Sequence, residues 1–313
     1  MVDFRYHVVS LIAVFLALAV GIVLGTAALN GPIQDNLNAN ISRLTEDKRV
    51  LQQDVERLRA QVGAGDQFAA AVGPGVVDDA LADRRVLLVT TASTPPSLAE
   101  QMTPLLTEAG ADVTGTLRLQ PALSDPEQAA LVQDLVAEVV PAGVELPAGP
   151  PVVQATAQLA AVLVRAADTD AVPADQAQAV VSAYVEADLV EYRSEQETLR
   201  PATLALVLTG TPPETRDEQL EREQSALLVL VSALDSRSDG AVLAGPTGSA
   251  GGRGAVAALR GQPDLVQQVS TVDNADRGTG RVATVLALAQ QAAGRAGQYG
   301  AGGGAASAVP PPS

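Results

Sequence analysis

The chain has no cysteine and no tryptophan, a single histidine (His7), and only 2% aromatic residues. Without cysteine there is neither a disulfide staple nor a thiolate to act as nucleophile or metal ligand. His7 sits at the edge of an apolar run, so no Ser–His pair and no His/Cys zinc site can be built in the remainder of the chain. The scarcity of aromatics also argues against a membrane barrel. Such a barrel needs several strands of about ten alternating residues flanked by aromatic girdles. Basic residues are few, 20 Lys and Arg against 36 Asp and Glu, for a net charge of −16. That balance argues against a nucleic-acid or anionic-lipid surface as the partner and fits a solvated acidic face or a basic protein partner. No spacing selects a pair of catalytic carboxylates, and the chain reads as a non-enzyme.

Charge is missing altogether from residues 8–29, which hold Val, Leu, Ile, Ala, Phe and Gly with little else. About 20 such residues cross the ~30 Å hydrocarbon core as a helix. Gly25-Thr26-Ala27 passes as a weak cleavage site. The run is nevertheless longer than the apolar core of a signal peptide, so it reads as a retained anchor. Arg5 precedes the run and Arg43 is the first basic residue after it, which places residues 1–7 in the cytoplasm and the main domain outside. Within the run Ala17, Gly21 and Gly25 recur at every fourth position, the small-residue spacing that lets two membrane helices approach.

A heptad pattern follows over residues 30–62. Leu37, Leu44, Leu51 and Leu58 take d; Ile41, Val55 and Val62 take a, with Lys48 as a polar a position. Ile or Val at a with Leu at d favours a parallel two-stranded coil, a rod of ~42 Å for residues 34–62. The expectation is a homodimer through span and coil. Gly63-Ala64-Gly65 is expected to end the rod, and Gly73-Pro74-Gly75 to break a helical linker over residues 63–83.

Beyond it, short Val- and Leu-rich runs alternate with helical segments. Strands are expected at 85–91, 113–119, 203–209, 240–244 and 269–272. Helices are expected at 97–109, 126–139, 218–234, 254–260 and 281–293, with a helical excursion at 152–167 and 174–193. The alternation predicts a doubly wound, mainly parallel α/β domain over residues 84–293. Residues 294–313, rich in Gly and ending in prolines, read as a disordered tail.

In such a sheet the carboxyl ends of the strands converge on a ligand crevice, here at Thr91, Thr209, Gly245, Gly248, Asp273 and Asn274. Gly252-Arg253-Gly254-Ala255-Val256-Ala257 matches the dinucleotide pattern G-x-G-x-x-A, with Asp273 placed for a ribose. It lies well past its strand and in the last unit, so a glycine-rich turn is the better reading. Asp273, Asn274 and Asp276 form an equally ordinary acidic loop, and no cofactor or metal is assigned.

The start, Met1-Val2-Asp3-Phe4-Arg5-Tyr6-His7-Val8-Val9-Ser10-Leu11 through Gly21-Ile22-Val23-Leu24-Gly25, resembles that of mycobacterial copper-transport proteins of the MctB type. The far end resembles them too, in Gly245-Pro246, Ser270-Thr271-Val272-Asp273-Asn274, Gly280-Arg281-Val282 and Gly297-Gln298-Tyr299-Gly300. The resemblance implies copper efflux or tolerance, and that family has been described as an outer-membrane channel. Its SteB relatives imply instead a role in cell division through control of cell-wall hydrolases. An adaptor of that kind would bind such an envelope protein through its coil or domain, with residues 2–6 left for an inner-face partner. The residues themselves fit a channel poorly. Copper(I) selects thiolate, thioether and imidazole, and the outer domain offers only Met102, whose helical setting predicts core packing. An indirect, accessory role in copper tolerance is the expectation.

Overall fold

The computed structural model of the chain describes residues 4–212 and 218–311, with the side chains of residues 26–36 set aside. Two units are present, Met1–Ala64 and Gly65–Ser313. One helix, α1 (Phe4–Val77), supplies the described structure of the first unit and the first element of the second. Its apolar beginning, Phe4–Gly25, has a mean hydropathy of 2.9 and is long enough to cross a membrane.

The glycines and Pro74 do not interrupt α1, contrary to their usual effect. Tertiary contacts within the second unit account for one side of this stretch. Ala69 and Val77 are buried, and a Cβ on Gly73 would lie 2.8 Å from Val282 Cγ2. The Gly278 N–H donates to Asp66 Oδ1 at 2.7 Å. Docking of this turn thus offsets its poor intrinsic propensity.

The rest of the second unit is built on a seven-stranded sheet. Its strands are β1 (Arg85–Thr90), β2 (Asp112–Leu119), β3 (Val190–Arg193), β4 (Leu204–Leu208), β5 (Ala241–Ala244), β6 (Ser270–Val272) and β7 (Gln298–Tyr299). The spatial order is β3-β2-β1-β4-β5-β6-β7, and only β3 runs antiparallel to its neighbour. Val86 of β1 pairs with Val113 of β2 on one side and Leu204 of β4 on the other. Leu87, Val89, Ala205, Val207 and Leu243 face one buried cluster; Val86, Leu88, Leu204, Leu206 and Val242 face a second. A strand buried on both faces must be apolar at every position, which is why these runs do not alternate.

Helices cover both faces. α2 (Pro96–Glu108) and α8 (Gly278–Ala292) pack on the second cluster. α3 (Ala129–Glu138), α4 (Pro151–Leu163), α5 (Ala174–Glu186), α6 (Glu218–Arg237) and α7 (Ala255–Arg260) pack on the first. The helical excursion therefore lies on the chain's own sheet. Inside this layer the buried Tyr184 hydroxyl donates to Gln158 Oε1 at 2.7 Å, and burial holds that phenol well above its ordinary pKa.

Two further expectations are corrected. Residues 174–193 are not helical throughout: α5 stops at Glu186, Asp188 adopts a left-handed φ of 53°, and the last four residues form β3. Asp tolerates that conformation well enough to end a helix without glycine. Nor are residues 294–313 a disordered tail, as far as they are described. β7 pairs with β6, and Tyr299 is buried with its hydroxyl donating to Gln290 Oε1. Positive φ at Gly300 (127°) turns the chain so that the Ala301 and Gly302 N–H groups donate to Asp273 Oδ1. Pro312 and Ser313 lie outside the described residues.

Candidate functional site

The strand order reverses between β1 and β4, so the crevice of a doubly wound sheet falls at Thr91 and Thr209. A pocket of about 40 Å³ is there, lined in part by Thr91, Ser93, Thr209, Gly210, Glu223 and Arg253. Its hydroxyls largely bond one another. Thr91 Oγ1 lies 3.0 Å from both Ser93 Oγ and Thr94 Oγ1, and Thr94 Oγ1 donates to the Leu208 carbonyl at 2.7 Å. The loops have closed on each other: a Cβ on Gly210 would sit 1.9 Å from the Ser93 carbonyl oxygen. Gly245 lies against Thr209 and Ser249, and Gly248 against Thr211. The remaining space suits roughly one or two waters, far below the several hundred Å³ of a cofactor cleft.

Asp273 and Asn274 sit at the end of β6. Asp273 is fully buried, and its Oδ2 takes a 2.7 Å ion pair from Arg260 Nη1. The same guanidinium donates through Nε to Thr271 Oγ1, through Nη1 to the Gly303 carbonyl and through Nη2 to the Tyr299 carbonyl. This carboxylate ties β6, α7 and the C-terminal segment together, and its lone pairs are taken, so no ribose hydroxyl can use it. Asn274 is half-buried with Oδ1 unbonded, and its backbone is packed against Gly280. Asp276 accepts from the Thr247 N–H at 3.1 Å and pairs with Arg277 at 3.3 Å. Among the described residues no three His, Cys, Asp or Glu side chains converge as a metal site would require. Met102, the one thioether in the α/β unit, is fully buried in the core beneath α2.

The importance of Arg260 is invisible in the sequence. It ends α7, and nothing in its spacing points to a carboxylate at the end of the next strand.

The other candidate surface is α1. Leu37, Ile41, Leu44, Leu51, Val55, Leu58 and Val62 are all exposed; Leu44 and Leu51 retain 67% and 65% of their accessible surface. Polar neighbours pair within the helix, Arg49 with Glu46 at 2.6 Å and Arg57 with Asp54 at 2.9 Å, both pairs being exposed. Lys48 lies among them and is exposed. In the apolar beginning, a Cβ on Gly21 or Gly25 would meet nothing within 4 Å, and Ala17 lies one turn before them on the same exposed helix. Met1, Val2 and Asp3 of the short N-terminal segment lie outside the described residues.

With this geometry in hand, the match to known proteins is decisive. A family model described as "Copper transport outer membrane protein, MctB" covers residues 1–310. The chain belongs to the MctB family. Relatives named "Copper transporter MctB" from Mycobacterium tuberculosis and Mycobacterium bovis are each 32% identical over 322 residues, 98% of either chain. The Mycobacterium leprae protein of that name is 29% identical over 330 residues. The MctB likeness therefore spans the apolar start, the heptad region and the α/β unit alike, and the open sheet described above is a feature of this MctB family member.

Proposed function

We propose that the chain is a single-pass, two-chain scaffold of the cell membrane, with its α/β domain outside the cytoplasm. On this reading it serves copper tolerance as an accessory to an envelope partner. The carrying observation is the row of exposed Leu, Ile and Val at a and d of α1, next to a membrane-length apolar segment. Burying each such side chain contributes about 1.5–3 kcal/mol, so a row of them is costly in water and stabilising in a parallel coil. One span per chain sets both N-termini in the same membrane, as a parallel coil requires. The relatives are named for copper transport, and the accessory role is supported by the donor set: Met102 is committed to the core, Asp273 to an ion pair and Asp276 to backbone and Arg277. The partner fitting an acidic unit on a coiled stalk is an envelope protein with a coil of its own, such as a cell-wall hydrolase.

The test is complementation of a copper-sensitive strain lacking the protein. The double variant Leu44→Glu, Leu51→Glu should lose tolerance while its α/β unit melts at the parent temperature. Met102→Leu, which conserves volume, should retain tolerance. Full tolerance from the charged-coil variant, or its loss with Met102→Leu at unchanged stability, would overturn the proposal.

A further inference from the structure

Residues 60–77 of α1 contain one charged side chain, Asp66, and it is bonded to the Gly278 N–H. One line of this segment, Asp66, Ala69, Gly73 and Val77, docks on the chain's own α/β unit. A second line is bare. Phe68, Val72 and Val76, each one turn apart, are 67%, 41% and 50% exposed. Three large apolar side chains in a row, with no charge beside them, are not a solvated helix face. The helix is also expensive to form here: Gly63, Gly65, Gly73, Gly75 and Pro74 together disfavour it by on the order of 7 kcal/mol. Gly73 is explained by Val282, but a Cβ on Gly63, Gly65 or Gly75 would meet nothing within 4 Å. Contacts within one chain thus account for one side of this segment only.

We propose that a second copy of the chain covers the Phe68–Val72–Val76 row, so that the two α/β units are joined where this helix docks on each. The inference rests on the two-chain coil proposed above and extends it. The heptad register identifies the occupant. Counting sevens from Leu37, d passes through Leu44, Leu51 and Leu58 to Gly65 and Val72. From Ile41, a passes through Lys48, Val55 and Val62 to Ala69 and Val76, without a skip. Phe68 takes the flanking g position. A partner in parallel register at Leu58 therefore meets its own equivalents at Val72 and Val76, as two-fold symmetry demands. Ala69 is the one seam position turned onto the chain's own unit, where it is 7% exposed, which leaves the contact to Phe68, Val72 and Val76.

The absence of cysteine makes the test clean. Single cysteines are placed at Leu51, Val72, Val76 and Gln67 in the full chain, in native membranes. Each is oxidised mildly and the covalent dimer followed with time. Leu51→Cys, Val72→Cys and Val76→Cys should cross-link at comparable rates, and the outward f-position variant Gln67→Cys about tenfold more slowly. Cross-linking at Leu51 with Val72 and Val76 no faster than Gln67 would overturn this inference and leave the coil standing. No cross-linking at any position, Leu51 included, would remove the coil and this extension together. The seam substitutions are conservative, and Phe68→Glu provides a second reading: it should slow the Val72→Cys reaction about tenfold without changing the Leu51→Cys rate. Equal slowing at both positions would show that the residue acts on the whole coil and would contradict a separate contact here.

Discussion

Arg260 and Asp273 carry opposite charges into a region where their side chains are 6% and 0% exposed. Such a pair is stable because Arg260 donates to four acceptors and both Asp273 oxygens accept, and removing one partner strands the other. Arg260→Met should therefore destabilise the α/β unit by about 3–5 kcal/mol in chemical denaturation and release the C-terminal segment to protease. Destabilisation below ~1 kcal/mol would mean that Asp273 finds water or another donor. Asp235 is a different case. It is half-buried and pairs with no cation among the described residues, its Oδ1 accepts the Ala241 N–H at 3.0 Å, and burial raises its pKa to about 6. Because the folded pKa is raised, its contribution to stability is full below the ordinary carboxylate value of ~3.9 and is lost as pH rises through about 6. Asp235→Asn keeps the acceptor and removes the charge. It should raise the melting temperature near pH 8 and leave it unchanged near pH 4. An equal change at both pH values would contradict this account of the charge. Neither Arg260 nor Asp235 was legible beforehand, because both act through partners brought close only by folding.

At the scale of elements, the buried strands were the most readable. Val86-Leu87-Leu88-Val89 can only be a two-faced core strand, and β1, β2, β4, β5 and β6 lie within a residue of where the apolar runs place them. The short edge strands were not readable. β3 is hidden behind a helical pattern, and β7 is two residues long amid glycines, so local propensity carries no signal for either. The end of α1 was misread for the opposite reason: propensity spoke against a helix, and docking on α8 overrode it. Gly73 marks the place. A larger side chain there must push into Val282, and Gly73→Leu should cost about 1–3 kcal/mol while lifting this turn off α8. Hydrogen exchange of residues 66–77 is the measurement, and unchanged protection would refute the docking argument. Thr91 and Thr209 follow β1 and β4, where the strand order reverses. That Gly210 and its neighbours close the space could not be foreseen, since it depends on how the loops meet.

At the scale of the whole molecule, the chain combines a membrane-length apolar start, a heptad-patterned stretch and an acidic α/β unit. The described sheet is open and covered by helices on both faces, its longest strand being the eight residues of β2. That is the construction of a water-facing domain, whereas a membrane barrel turns one face of every strand to lipid. The name of the family records copper, while a row of Leu, Ile and Val at the a and d positions of α1 is exposed. The pairing of two chains proposed for α1 is read from the mass of the detergent-solubilised chain, with detergent subtracted, by light scattering. Two chains per particle are expected, falling to one in the Leu44→Glu, Leu51→Glu variant with the α/β unit still folded. One chain per particle in the unaltered protein would contradict the account.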